Sequence, residues 1–429
     1  MFTKKTVRDI ELQGKTVLMR ADYNVPLNSD GSIISDYRIR QTLPTIRYLL
    51  DQSVKLVICS HLGRPEGKID PALSLKRIAN RLSELLEFDV GFVSDCIGME
   101  AQSAIAGLGP KQIIMLENLR FHPEEESNDN NFAAQLAQGI DIFVQDGFGV
   151  THRAQASTEA ITKQLPSVAG LLLEKEVDTI TNVMSNPKKP LAAIIGGAKI
   201  ADKIDVLHKF IDIADFIAIG GAMANVFLLA QGIRVAKSTV DRDEIPVAKD
   251  IMERAKAANN RLVFYLPQDG VVANSLGPAA MTRIVDWSAH VIAEIESYPR
   301  QPSGRTRFVA DDEMILDIGP FSGAFIAGGL QLAETVVWNG TMGVTETKGL
   351  LGPVGPFAHG TEILIEAMTG QFGHRPYSLV GGGDTVGYIE ARRLTGSFDH
   401  VSTGGGASLE LIAGRTLPGV AALMDKDNP

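Results

Sequence analysis

Short apolar runs rich in β-branched residues punctuate this chain: Thr16–Met19, Lys55–Cys59, Ile113–Met115, Ile142–Val144, Leu191–Ile195, Phe216–Ile219, Leu262–Tyr265, Met314–Leu316, Thr335–Trp338, Ser378–Val380 and Val401–Ser402. Most lack alternation, the pattern of strands buried on both faces. Helical patterns such as Leu73–Leu86, Gly170–Met184 and Glu362–Met368 lie between them. Alternation of this kind predicts an α/β fold with doubly wound parallel sheets. Polar and glycine-rich motifs come directly after the apolar runs. Ligands of open α/β sheets bind at the carboxyl ends of the strands, so these motifs are expected to line one crevice per domain.

A chain of 429 residues is long enough for two or three domains. The best boundary follows the helix predicted at Gly170–Met184, which Ser185-Asn186-Pro187 and Pro190 end. The expected division is an N-terminal domain over 1–169, a linking helix and hinge over 170–186, a C-terminal domain over 187–403, and a terminal segment over 404–429. Thirty of the 42 glycines follow Gly170, so the two halves are expected to do different work. A net charge of −10 argues against nucleic acid or an anionic membrane as partner. The most membrane-like stretch, Phe216–Ala230, is interrupted by Gly220-Gly221 and falls short of the ~20 residues a span needs. Two cysteines, Cys59 and Cys96, make no disulfide framework and have no zinc-ligand spacing. A reducing, cytoplasmic location is expected.

In the first half, basic residues recur at the strand ends: Arg38, His61, Arg64, Arg120, His122, His152 and Arg153. Each alone reads as a surface ion pair. Together, in an acidic protein, they read as a pocket for a small, highly charged anion, because the arginine fork bonds phosphate or carboxylate oxygens in pairs. Asp22 and Asn24 could fix hydroxyls or orient the arginines. His122, ahead of Pro123 and Glu124–Glu126, reads instead as part of a solvated acidic helix start.

In the second half, Gly196-Gly197-Ala198-Lys199 follows a strand and is expected to open a helix, with Lys203 one turn on. Lysines oppose the positive end of a helix, and an anion bound there would remove the conflict. Gly381-Gly382-Gly383-Asp384-Thr385 and Ser402–Ser408 repeat the strand-to-glycine arrangement, whose backbone N–H groups can cradle phosphate oxygens. Asp384 either caps a helix or, beside phosphates, holds Mg²⁺. Gly220-Gly221, Gly319 and Asn339-Gly340 would let a flat ring approach the backbone, and Glu346 could accept from ribose hydroxyls. Trp338 reads as core. Two rivals fail on spacing: Gly14-Lys15-Thr16 lacks the upstream glycine of a Walker A loop, and no G-x-G-x-x-G follows a strand.

In order, the motifs are DYNVPL (22–27), SHLGRP (60–65), LENLRFHPEEE (116–126), DGFGVTHRAQAST (146–158), GGAKIADKI (196–204), GGAMAN (220–225), DIGP (317–320), WNGTMGV (338–344), GGGDT (381–385) and STGGGASLE (402–410). This series resembles phosphoglycerate kinase from about Arg20 to Val420. The resemblance implies two doubly wound domains joined by a long helix, with the C-terminal tail returning to the first. It implies reversible transfer of the γ-phosphoryl group of ATP to the carboxylate of 3-phosphoglycerate, giving 1,3-bisphosphoglycerate in glycolysis and gluconeogenesis, by a cytoplasmic monomer with Mg²⁺. Carried over by motif, the triose-phosphate site comprises Asp22, Tyr23, Asn24, Arg38, His61, Leu62, Gly63, Arg64, Arg120 and Arg153. The nucleotide site comprises Gly197, Lys199, Lys203, Gly220, Gly221, Gly319, Asn339, Glu346 and Gly381, Gly382, Gly383, Asp384 and Thr385, with Asp384 on the metal. Arg38 and Lys199, assisted by backbone N–H groups near Gly383 and Gly406, would act on the transferring group.

Four residues depart from the family pattern: Gly147 for alanine, Gln155 for histidine, Thr341 for the proline of WNGP, and Phe321 for a polar residue. The region 276–308, with Trp287 and His290, is longer than expected. The alternative reading is a non-catalytic nucleotide- or phosphate-binding protein that kept the fold. The acceptor carboxylate is ionised at neutral pH and needs no general base, so catalysis is expected to rest on positioning and charge stabilisation.

Overall fold

Each apolar run becomes a strand in the computed structural model, which describes residues 2–258, 262–288 and 308–426. In chain order the strands are β1 (Thr16–Arg20), β2 (Lys55–Cys59), β3 (Val90–Val93), β4 (Ile113–Leu116), β5 (Ile142–Gln145), β6 (Ser167–Ala169), β7 (Leu191–Ile195), β8 (Phe216–Ile219), β9 (Val263–Tyr265), β10 (Asp269–Ala273), β11 (Arg283–Asp286), β12 (Met314–Ile318), β13 (Thr335–Asn339), β14 (Tyr377–Gly381) and β15 (His400–Val401). The chain divides into two units, one of 1–182 with 403–429 and one of 183–402.

The first unit is built on a parallel sheet of order β3-β4-β2-β1-β5-β6. Successive side chains of β1 serve opposite faces: Val17 and Met19 join one apolar cluster, Leu18 the other. Helix Leu171–Ser185 follows β6, and its start is capped by the buried carboxylate of Asp146, which accepts from Leu172 N–H at 3.0 Å. The C-terminal segment completes this unit. Thr403 donates through N–H (2.6 Å) and Oγ1 (2.7 Å) to the buried Glu176 of that helix. Gly419 N–H donates to Thr151 O, and Lys4 and Asp425 form an antiparallel bridge.

The second unit has a parallel sheet of order β15-β14-β13-β7-β8-β9. It also has a three-stranded antiparallel sheet, β11-β10-β12. Met314–Leu316 lies in this small sheet, as β12 antiparallel to β10, beside the parallel sheet that the sequence pattern predicts. The short runs of β3, β10 and β11 carry glycine, aspartate or arginine among their apolar residues, and β6 is only three residues, Ser-Val-Ala; all four escaped the apolar pattern.

In each parallel sheet the strand order reverses about one strand, β1 in the first unit and β7 in the second. Ligands of open α/β sheets bind at such switch points. The segment after β1 is Ala21–Leu27, and the one after β7 is Gly196–Lys199. Among the described residues no helix is long and apolar enough to cross a membrane.

Candidate functional site

At the first switch point, Asp22 and Asn24 organise the surrounding bases. Asp22 Oδ2 pairs with Arg38 Nη1 at 3.1 Å, and Arg38 Nη1 also donates to Asn24 O at 3.0 Å. Asn24 Oδ1 accepts from Gly63 N–H at 2.9 Å, and Gly63 O accepts from Arg120 Nη1 at 2.9 Å. His61 is buried, 3.9 Å from Asp22 Oδ1 and 3.2 Å from Arg20 Nη2. Burial, then the charges of Arg20, Arg120, Arg38 and Arg153, hold its imidazole well below the ordinary histidine range, so it is neutral at pH 7. Residues far apart in sequence thus meet here: Arg20 ends β1, Arg38 is the second residue of helix Tyr37–Asp51, and Arg120 follows β4. Arg64 is exposed and has no acceptor among the described residues. Arg153 is exposed and donates through Nε to His152 Nε2 at 3.2 Å.

Two residues of the implied set are turned into the core. The Tyr23 ring is fully buried and its hydroxyl bonds Thr42 Oγ1 at 2.8 Å; the Leu62 side chain is buried as well. Only their backbones are left for a ligand. Sequence reasoning passed over Arg20. Its buried guanidinium donates through Nε to Ser157 Oγ at 2.7 Å and lies 3.9 Å from Glu125. The place of Arg20 at the end of β1, two residues before Asp22, gives no local signal of this role. His122 pairs with Asp95 at 2.8 Å, away from the Asp22 cluster.

In the second unit a cavity of about 270 Å³ is lined by Gly197, Gly221, Glu346 and Asp384 of the implied nucleotide set, together with Thr341. Asp384 stands in the first turn of helix Gly383–Ala391. Thr385 Oγ1 accepts from Gly340 N–H at 2.8 Å and so ties that helix to the turn after β13. The Asn339 amide nitrogen is buried with no partner among the described residues. Gly319 lines a different hollow, and the Gly220 backbone is covered by Met342.

The helix after β7 begins at Ile204, behind a single 3₁₀ turn over Ala201–Lys203. The expected helix opening at Gly196 is therefore corrected, and Lys199 projects from a loop, exposed, with no partner among the described residues. Lys203 is buried and donates to Gly196 O; burial lowers its ammonium to about 8, against the opposing pull of Asp384 and Asp202.

Trp287, just after β11, also lines the cavity, its ring fixed by an Nε1–H bond to Pro267 O at 2.8 Å. It comes from the long region flagged in the sequence; His290 lies outside the described residues. Trp338 is fully buried. The Thr341 hydroxyl donates to Gly343 O at 2.9 Å. Proline would preset the turn, a gain of ~0.4–1 kcal/mol, but would lose this bond, worth about as much. Thr341→Pro is expected to leave the unfolding free energy from urea melts within about 1 kcal/mol of the parent; a larger loss means the hydroxyl holds the turn. Of the other departures, Gln155 is buried with its Oε1 unpartnered among the described residues, Phe321 is exposed at a helix start, and a methyl on Gly147 would sit 3.0 Å from the backbone of Ala21 and Asp22.

Two buried carboxyls set a pH dependence. Burial raises Asp146 to about 7 and Asp317 to about 8, although each accepts backbone N–H bonds. Unfolded, both would titrate near ~4. Between that value and 7–8 the folded chain retains protons the unfolded chain has released, so stability falls as pH rises through the window. Urea melts from pH 4.5 to 8 should show this decline. Asp146→Asn, which keeps an acceptor oxygen, should flatten it; an unchanged slope would refute the assignment.

A sequence profile of phosphoglycerate kinase matches residues 7–415. The chain belongs to the phosphoglycerate kinase family. It is 44% identical to the phosphoglycerate kinase of Moorella thermoacetica over 425 residues, covering 99% of this chain and all of the relative. It is 45% identical to that of Chloroflexus aurantiacus over 428 residues, again 99% and 100%. The solved phosphoglycerate kinase of Pyrococcus horikoshii superposes with a TM-score of 0.82 at 30% identity, covering 99% of this chain and 98% of that one. The structure from Coxiella burnetii gives 0.77 at 35% identity, covering 98% of each chain. The family is one of phosphotransferases, and this chain is a kinase; nothing in the comparisons favours a non-catalytic binding protein.

Proposed function

We propose that the chain catalyses reversible transfer of the ATP γ-phosphoryl group to the carboxylate of 3-phosphoglycerate, with the triose phosphate held in the first unit and the nucleotide in the second. The observation that carries this is the basic cluster at the first switch point, where Asp22 and Asn24 O hold Arg38, Gly63 O holds Arg120, and Arg64 and Arg153 are exposed. Such a cluster suits a small ligand with both phosphate and carboxylate groups. Arg38 and Lys199 neutralise the transferring phosphoryl group, and backbone N–H groups near Gly383 and Gly406 orient its oxygens. Arg64, Arg120 and Arg153 hold the triose phosphate, and Asp22 and Asn24 fix the arginines and substrate hydroxyls.

Asp384 suits Mg²⁺. Its carboxylate borders the cavity and has no hydrogen-bond partner among the described residues, and Mg²⁺ is commonly held by one carboxylate together with nucleotide phosphates and water. Bound there, the ion would neutralise nucleotide phosphate charge. Water must be kept from the acyl phosphate, so both substrates must be enclosed when the transfer occurs. Two free, buried cysteines support a cytoplasmic location. A coupled assay with ATP, Mg²⁺ and 3-phosphoglycerate tests the reading; no turnover by folded protein that still binds ADP would refute it.

Trp287 forms an aromatic wall against the base. ADP should change its emission, whereas the buried Trp338 should respond little. Trp287→Ala should weaken ADP by about tenfold, the scale of one base–aromatic stack. A parental emission change in Trp287→Phe would exclude Trp287 as the reporter.

A further inference from the structure

Two strand ends of the first unit carry a set of donor atoms that phosphoryl transfer does not use. Asp95 and Cys96 lie on the segment after β3, and His122 lies after β4, the neighbouring strand. The sequence gives no metal motif, because Cys96 and His122 are separated by most of a strand–helix–strand excursion. The fold brings them together: one carboxylate oxygen, the thiol sulfur and one imidazole nitrogen all lie within 4.8 Å of one another.

The three side chains are held in place. Asp95 Oδ1 accepts from Cys96 N–H at 2.6 Å and lies 2.8 Å from His122 Nε2. The His122 ring rests on Phe132, with centroids 5.4 Å apart. Cys96 is buried, whereas the Asp95 side chain is 46% exposed, so the group is open to solvent on one side.

We propose that Asp95, Cys96 and His122 form a binding site for a borderline divalent transition ion of the zinc class. Mixed oxygen, sulfur and nitrogen donors select such ions over Mg²⁺, which prefers oxygen ligands alone. Three protein ligands leave a fourth, tetrahedral position for water on the exposed side. Zinc–ligand bonds of ~2.0–2.3 Å place neighbouring donors roughly 3.3–3.7 Å apart. Binding therefore needs the 2.8 Å Asp95–His122 pair to open slightly, within the reach of side-chain rotation. The metal–sulfur bond replaces the thiol S–H bond, and the proton leaves to solvent. The bound ion would tie the segment after β3 to the one that carries Arg120, two residues before His122.

Co²⁺ titration of the full chain tests this. The expected result is a saturable thiolate-to-cobalt charge-transfer band, removed by stoichiometric Zn²⁺ and unaffected by excess Mg²⁺. Cys96→Ser and His122→Ala should each abolish the band or weaken binding at least tenfold, while Cys59→Ser leaves it unchanged. Zn²⁺ should also raise the melting temperature of the parent but not of His122→Ala. Absence of the band, or its persistence in Cys96→Ser, overturns the site and leaves Asp95–His122 as an ion pair beside a core thiol.

Discussion

Arg38→Ala is expected to lower kcat and kcat/KM together by ~10³-fold, the lower end of the range for removing an arginine that stabilises a transferring phosphoryl group. The guanidinium is oriented before substrate arrives. Asp22 Oδ2 and Asn24 O take the hydrogens of Nη1, and neither Nη2 nor Nε has a partner among the described residues. Such a donor needs no reorganisation when negative charge spreads over the phosphoryl oxygens, which is why its removal should tell on the transition state. Arg38→Lys keeps the charge but loses the planar fork, so it should recover only part of the rate. Arg64, exposed and unpaired, makes the contrast: Arg64→Ala should mainly raise KM for 3-phosphoglycerate. Steady-state kinetics on the three variants decide the matter. A normal kcat with raised KM in Arg38→Ala would move Arg38 to ground-state binding.

Gly340→Ala is expected to cost about 3 kcal/mol or more in stability and to weaken ADP at the same time. Gly340 has φ +98°, a conformation few side chains tolerate. A methyl there would lie 2.3 Å from the carbonyl carbon and oxygen of Gly196. Both neighbours are backbone and cannot swing aside. Gly196 N–H is bonded to Asn339 O, and Gly340 itself donates to Thr385 Oγ1 and accepts from Trp338 Nε1–H at 2.8 Å. Backbone strain and overpacking each cost ~1–3 kcal/mol. Relief requires the Gly196–Lys199 loop to move, which would carry Lys199 from the position proposed for it. Gly328→Ala is the control: its added methyl meets nothing within 4 Å, and the substitution should be neutral or mildly stabilising in helix Pro320–Leu330. Urea melts with ADP titrations would expose an error, since parental stability in Gly340→Ala contradicts the packing argument.

The parallel sheets were legible because their strands are buried on both faces and so read as unbroken apolar runs. Strand β10, with Asp269 and Gly270 at its start, hides its pairing: the Asp269 carboxylate caps the helix beginning at Pro320 through the N–H groups of Phe321 and Ser322. That is a tertiary bond, invisible to local pattern. Arg64, Arg120 and Arg153 were legible as basic residues just after strands, whereas Arg38 lies in helix Tyr37–Asp51. Arg20 was not legible, because a charged residue ending a strand reads as its solvent boundary until Ser157 and Glu125 are seen to meet it. Trp287 was set aside for the same kind of reason: nothing local to it predicts a cavity whose other walls are at Gly197, Thr341 and Asp384.

The contact between Glu176 and Thr403 has a consequence for the order in which the chain can be finished. The second unit is one uninterrupted stretch, 183–402, whereas the first needs residues from both sides of it. On the ribosome, therefore, the portion synthesised first is the portion completed last. Until Thr403 emerges, the Glu176 carboxylate lacks two of its donors, and the nascent first unit must wait through the synthesis of an entire neighbour before it can close around that charge.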